Sequence, residues 1–396
     1  MVAGSRVHPL NDSAVLYHFL YPLQQHFAVF RVFRYTSLRA VGAAVTAIVL
    51  SFVLGPIIMR ALRRQSVNQV VRDGTPLTHA GKGTTPTMGG LIFLTSALTS
   101  VILWGRFSLS RPYLLIAMFV MMWMGVIGLL DDYLKLQQKK RGERNTGLIE
   151  KYKLAGQFIV GVSLGWYLLR NPLAPNLPGA STTLPFFKYY LLTFIQGFEF
   201  VYVVFTTFIL IGTTNAVNIT DGLDGLAAGL SAIAFGTFAI FAYILGRSDY
   251  TTYLNLFFLP DSGELAIFCL AVVGSLFGFL WYNTHPAQVF MGDTGALALG
   301  GGLGAVAILL KSEFVLAFVG ALFAAEMMSV ILQRYVFKFR RRRHGLEYAQ
   351  AHRVFRRAPL HHHFEEMGWK ESQVVVRFWI IGILCAFVAL STLKLR

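Results

Sequence analysis

Ten stretches of nearly unbroken apolar residues run along the chain, at about 38–62, 86–104, 112–131, 154–170, 199–218, 223–245, 265–282, 296–311, 313–337 and 374–393. Each approaches the roughly 20 residues that cross a bilayer as a helix. In hydrocarbon a lone segment satisfies its backbone polar groups only by coiling into a helix. The pattern therefore predicts an all-α integral membrane protein of about ten transmembrane helices. Lys311 and Glu313 part the eighth stretch from the ninth, because together the two would exceed one crossing.

Composition agrees with that class. Hydrophobic residues make up 55% of the chain and charged residues 14%, with a mean hydropathy of +0.57, far from an ordinary soluble domain. The net charge of +16 and pI near 10 do not indicate nucleic acid, since the basic residues lie in short loops between apolar runs. Their placement orients the helices. The loops 60–82, 135–153 and 338–370 hold five, seven and nine Lys and Arg, or 21 of the 35, and such loops face the cytoplasm. An even number of spans then leaves both termini outside, with the Pro-containing stretch 171–185 also outside. Residues 1–37 lack a cleavable signal pattern and read as an N-terminal interfacial segment ahead of a membrane domain at 38–396. Cys269 and Cys385 lie within apolar runs and are expected to stay unpaired.

The acidic residues carry the chemistry. Asp131 and Asp132 end the third stretch, Asp221 and Asp224 join the fifth to the sixth in GTTNAVNITDGLDG with Asn215 and Asn218, and Asp293 precedes the eighth in NTHPAQVFMGDTG. A helix cap, a turn or a solvated helix end accounts for any one of these alone. Three aspartate sites from distant segments, all at the predicted cytoplasmic end beside Lys82, Lys135 and a histidine run, call for a shared function. Hard carboxylate oxygens suit Mg²⁺, which is usually held together with substrate phosphates. The glycines of GKGTTPTMGG, DGLDG and FMGDTG let backbone approach phosphate closely. No Walker A, dinucleotide-binding or zinc pattern is present. The residues alone thus imply a membrane enzyme handling a nucleoside diphosphate or polyprenyl phosphate. A secondary transporter would place its charges near the bilayer midplane, whereas these sit at helix ends.

The runs GKGTTPTMGG, GLLDDYLK, NAVNITDGLDGLA, NTHPAQVFMGDTG and FRRAPLHHHFEEMGW, in this order, resemble the phospho-N-acetylmuramoyl-pentapeptide transferases, within the polyprenyl-phosphate N-acetylhexosamine-1-phosphate transferase superfamily. The resemblance covers about 38–396. It implies ten helices with cytoplasmic catalytic loops in the bacterial cytoplasmic (inner) membrane, Mg²⁺ as cofactor and a homodimer. The implied reaction moves phospho-MurNAc-pentapeptide from UDP-MurNAc-pentapeptide to undecaprenyl phosphate, giving lipid I and UMP. The nearer rival, a related transferase using UDP-GlcNAc, would share the aspartate motifs but not APLHHHFE. The chain departs from the family pattern in a longer 340–352 stretch and a longer N-terminal tail.

Carried over residue by residue, the resemblance makes Asp293 the Mg²⁺ ligand and places Asp131 and Asp132 at the polyprenyl phosphate. Lys82, Lys135 and His361 fall near phosphates, with His362 and His363 beside them as substrate-binding residues. Asn218, Asp221, Gly222, Leu223, Asp224, Asn283 and Phe290 fall around the UDP moiety, with Gln333 nearby. Only the resemblance makes Phe290 a uracil-stacking ring. If the helix continues past them, adjacent Asp131 and Asp132 point about 100° apart, so different jobs are expected for them. Glu326, deep in a span, is expected to partner Ser329 or a backbone carbonyl and to take no catalytic role.

Overall fold

The computed structural model describes residues 21–64, 85–141, 147–148, 150–174, 177–187, 191–194 and 197–394. All ten apolar stretches are helical. They form α1 (Thr36–Arg64), α2 (Gly90–Trp104), α3 (Tyr113–Lys140), α4 (Glu150–Arg170), α5 (Phe200–Thr220), α6 (Leu226–Leu245), α8 (Gly263–Asn283), α9 (Gly292–Leu309), the pair α10 (Glu313–Val319) and α11 (Ala321–His344), and α14 (Glu371–Ser391). Short helices α7 (Ser248–Leu254), α12 (Leu346–Ala351) and α13 (Leu360–Glu366) join them. The chain is an all-α, multi-pass membrane protein. A single hairpin, β1 (Ser181–Thr183) against β2 (Leu191–Thr193), is the sheet among the described residues.

Not every one of the ten stretches is by itself long and apolar enough for a crossing. Among the described residues, seven helices are long and apolar enough by themselves to span a bilayer, or eight if the bent pair α10–α11 counts as one span. Of the remaining stretches, α2 has only 15 residues, and α4 carries Glu150, Lys151, Lys153 and Arg170 at its ends. Two boundaries also move. The third stretch does not stop at Asp131, because α3 continues to Lys140. The ninth breaks at Gly320, where α10 and α11 meet at 79°.

Apolar faces point outward as well as inward. On α1 the exposed residues include Val41, Val45, Val49, Phe52 and Val53, and on α14 Val376, Ile380, Leu384 and Phe387. Continuous apolar surface of this kind requires a nonaqueous partner, here lipid. The interior centres on α9, in which every residue from Thr294 to Leu309 is buried. Small residues let its neighbours close in, as expected where hydrophobic contrast between helices is absent. A Cβ on Gly90 would lie 2.4 Å from Gly295 Cα, and one on Gly128 would lie 2.2 Å from the Asp293 carbonyl oxygen. The second approach lays α3 directly across the first turn of α9.

The two ends of the bundle differ. At one end the hairpin closes over the C-terminal end of α9, where Thr183 donates its backbone N–H to Lys311 O at 3.1 Å. There the Lys311 ammonium donates to Gly179 O and the Tyr202 hydroxyl, both at 2.7 Å. Arg39 and Glu264 pair at 2.6 Å between the starts of α1 and α8, also at this end. The C-terminal end of α5 and the N-terminal end of α9 bring Asp221 and Asp293 to the other end, so the 171–185 stretch lies far from the acidic residues.

Candidate active site

Continuation of α3 past its apolar stretch sets the geometry of the acidic end. Asp131 and Asp132 sit two turns before the helix terminus and point different ways. Asp132 turns toward α9: its Oδ2 accepts the Thr294 N–H at 2.9 Å and the Thr294 hydroxyl at 2.7 Å, and its Oδ1 accepts the Asp293 N–H at 3.3 Å. A helix leaves its first N–H groups without partners, and Asp132 supplies them from another helix. Asp131 turns instead toward two lysines. Its Oδ1 accepts the Leu148 N–H at 2.6 Å, while Lys135 and Lys153 lie 2.6 and 2.5 Å from its Oδ2.

The same two ammonium groups reach Asp293. Lys135 donates to Asp293 Oδ2 at 2.8 Å and Lys153 at 2.9 Å, while Asn218 of α5 donates to Asp293 Oδ1 at 2.9 Å. Carboxylate oxygens of Asp131, Asp132 and Asp293 lie within 4.8 Å of one another, a set that can hold a metal ion. Three hard oxygen donors fit Mg²⁺. Asp221, just past α5, adds a fourth acidic group. Burial and the facing charges of Asp293, Asp132 and Asp224 push its carboxyl up to about 8.

A second group lies on the same end. Asp224 accepts from His285 Nδ1 at 3.1 Å and from the Ala287 N–H at 3.2 Å, and it donates its own N–H to Glu371 Oε1 at 2.9 Å. Asn283 is locked by its side chain, accepting the Gly225 N–H at 3.0 Å and donating to Val289 O at 2.9 Å. Leu223 is buried beside this turn. Phe290 is half-buried, and its backbone holds the start of α2 through Pro86 O and the Gly89 N–H.

The histidine run is tied to the rest by one member. His361 is fully buried; its N–H donates to Glu326 Oε1 at 3.1 Å, and its Nδ1 lies 3.2 Å from Glu326 Oε2, at ion-pair distance but without hydrogen-bond alignment. Its ring rests on Gly222, where a Cβ would fall 2.2 Å from Nε2. His362 instead pairs with Glu365 at 2.7 Å, and burial lowers its basicity. The ring of His363 accepts the Arg356 N–H, and Gln333 accepts the Phe355 N–H.

The structure thus gathers Asp131, Asp132, Asp293, Lys135, Asn218 and Asp221 in one centre, with His361 behind Gly222 and Asp224 with Asn283 alongside. It gives His362, His363 and Gln333 local partners. Lys82 lies outside the described residues. Two expectations are corrected. Asn215 does not join the cluster, because it donates to Gln157 Oε1 on α4. Glu326 partners His361, 35 residues away, rather than Ser329, whose hydroxyl instead donates to the Glu326 backbone carbonyl. Lys153, His285 and Glu371 were not singled out from the sequence, since only helix packing brings them to the acidic residues they meet.

Comparison with known proteins fits this arrangement. Residues 114–311 match the family described as Glycosyl transferase family 4. The chain is 64% identical over 383 residues to a phospho-N-acetylmuramoyl-pentapeptide-transferase of Gemmatimonas aurantiaca, covering 96% of this chain and all of that protein. Proteins of the same name from Desulfotalea psychrophila and Desulfatibacillum aliphaticivorans are 44% and 46% identical over 382 and 383 residues, each again covering 96% of this chain and all of the relative. The chain belongs to the phospho-N-acetylmuramoyl-pentapeptide transferase family. The family match spans α3 through α9, and so it contains Asp131, Asp132, Lys135, Lys153, Asn218, Asp221, Asp224 and Asp293.

Proposed function

We propose that this chain transfers phospho-MurNAc-pentapeptide from UDP-MurNAc-pentapeptide to undecaprenyl phosphate, producing lipid I and UMP. The observation that carries the reading is the convergence of Asp131, Lys135, Lys153 and Asp293 on shared hydrogen bonds at the ends of apolar helices, where a lipid-borne phosphate and a soluble nucleotide can meet. An acceptor phosphate oxygen attacks the sugar-linked phosphorus, the bond from that phosphorus to the UMP oxygen breaks, and UMP leaves. A phosphate monoester has a second pKa near 6, so the acceptor is largely dianionic near neutral pH and needs no general base. Stabilising charge on the transferred phosphoryl group is the remaining task.

The residues divide that work. Lys135 and Lys153 supply positive charge to phosphate oxygens, and Asp131 and Asp293 orient the two ammonium groups. Asp293, with Asp131 beside it, would hold Mg²⁺, which when bound neutralises diphosphate charge. Asp132 fixes the start of α9 and thereby Asp293. Asn218, Asp221, Gly222, Leu223, Asp224, Asn283 and Phe290 surround the UDP moiety, with Gln333 near it. His361, buried behind Gly222, supports the turn, and His362 and His363 flank that support.

The same reading places the chain in the bacterial cytoplasmic membrane as a homodimer. The acidic end faces the cytoplasm with both termini outside, and the transferase domain runs over 38–396; of the interfacial segment expected at 1–37, residues 1–20 lie outside the described residues. Purified protein incubated with UDP-MurNAc-pentapeptide, undecaprenyl phosphate and Mg²⁺ is expected to release UMP, and to release far less with UDP-GlcNAc. No UMP from the muramoyl donor would refute the reading.

A further inference from the structure

Three segments far apart in sequence meet at Asp224, outside the centre of Asp131 and Asp293. Asp224 itself is 4% exposed and belongs to the turn between α5 and α6. His285 comes from the loop between α8 and α9, and Glu371 from the first turn of α14. Glu371 uses its two oxygens differently: Oε1 accepts the Asp224 backbone N–H at 2.9 Å, and Oε2 lies 3.4 Å from His285 Nδ1. His285 Nδ1 in turn lies 3.1 Å from Asp224 Oδ2, which also accepts the Ala287 N–H. Backbone and side chain of Asp224 are therefore both held from outside its own turn. One residue further on, the Gly225 N–H is held by Asn283 of α8.

We infer that His285 and Glu371 are positioning residues that clamp the 221–225 turn, and that the clamp sets affinity for the uridine nucleotide donor rather than the rate of phosphoryl transfer. The inference rests on the proposed reaction. Neither residue bonds to Asp131, Asp293, Lys135 or Lys153, which form the reacting centre through their own contacts. An interaction made equally in the ground state and the transition state changes KM and leaves kcat alone. Glu371 also sits where a helix start favours an acid, so its contribution to α14 must be separated from its contribution to Asp224.

Paired substitutions make that separation. Glu371→Gln keeps an oxygen to accept the Asp224 N–H, whereas Glu371→Ala removes it. His285→Asn keeps a donor near the Nδ1 position, whereas His285→Ala removes it. Each protein is purified intact in detergent, and donor KM, kcat and the Kd for UDP-MurNAc-pentapeptide by calorimetry are measured beside melting temperature. The alanine variants are expected to raise donor KM and Kd at least about tenfold with kcat within about threefold of wild type, and the amide variants to recover most of that loss. His285 sits in a loop with its side chain 45% exposed, so its variants remain informative if Glu371→Ala fails to fold. Wild-type turnover with donor KM and Kd unchanged within about twofold in His285→Ala would overturn the clamp. So would a fall confined to kcat. A wild-type protein that neither binds nor turns over the donor would instead defeat the reading on which the clamp rests.

Discussion

The carboxylate of Asp132 accepts the Thr294 backbone N–H at 2.9 Å, so a side chain of α3 caps the start of α9 one residue beyond Asp293. Its neighbour Asp131 instead meets two lysines. Adjacent residues on one helix thus have separate duties, one architectural and one electrostatic.

That division predicts different failures. Asp132→Ala leaves two buried donors of Thr294 and the part-buried Asp293 N–H without this partner, and each lost buried bond costs about 1–3 kcal/mol. It is expected to lower melting temperature sharply and lose activity with it. Asp131→Asn keeps an acceptor for the Leu148 N–H and is expected to lower kcat on the order of a hundredfold at near-normal stability. Melting curves and turnover of both variants decide this, and equal destabilisation would contradict it.

Asp293 and Lys153 test the centre itself. Asp293→Asn loses the charge that pairs with the two lysines and that a divalent cation would need, and is expected to abolish nearly all turnover in a folded protein. Lys153→Ala removes one of the two ammonium groups bridging Asp131 and Asp293 and is expected to reduce kcat about a hundredfold or more, with donor KM little changed. Asp293→Asn activity within about tenfold of wild type at saturating Mg²⁺ would exclude it as an essential ligand.

How much of this was readable in the chain depends on the range of the interaction. Apolar runs and acidic motifs mark the helices and five of the aspartates, because both signals are local. Hydropathy drops after Asp132, so the apolar pattern alone ends the third stretch there, whereas the Asp131–Lys135 pairing at i,i+4 supports a longer helix. Lys153 folds back onto Asp131 across a loop, and Glu326 meets His361 across 35 residues. Those contacts follow from helix packing. The 79° bend at Gly320 likewise lies inside a stretch that hydropathy reads as one helix.

A pH dependence follows from Asp221, whose carboxyl is pushed up to about 8 by burial first and by Asp293, Asp132 and Asp224 next. In an unfolded chain it would titrate near ~4. The folded protein therefore holds a proton that the unfolded chain releases, and metal-free stability falls as pH rises from about 4 to about 8. Asp221→Asn has no proton to lose, so its melting temperature in EDTA is expected to fall less between about pH 5 and about pH 8. Parallel curves for the two proteins would show that Asp221 is not the group responsible.

The last prediction concerns covalent catalysis. A carboxylate that attacks phosphorus must free an oxygen from its donors, and Asp131, Asp132 and Asp293 each accept three bonds. Asp293 accepts from Asn218, Lys135 and Lys153, Asp131 from Leu148 and both lysines, and Asp132 from Asp293 and Thr294. Charge-assisted bonds of this kind stabilise the carboxylate and make it a weaker nucleophile. The dianionic acceptor phosphate carries no such restraint. Direct transfer is therefore expected: with donor and Mg²⁺ but no polyprenyl phosphate, rapid-quench measurement should detect no UMP and no sugar-phosphate on the protein. Asp131→Asn should keep the wild-type pH–rate profile, since an obligatory base would remove the acidic limb of kcat/KM. A burst of UMP stoichiometric with enzyme in the absence of acceptor, with sugar-phosphate retained on an aspartate, would establish double displacement instead.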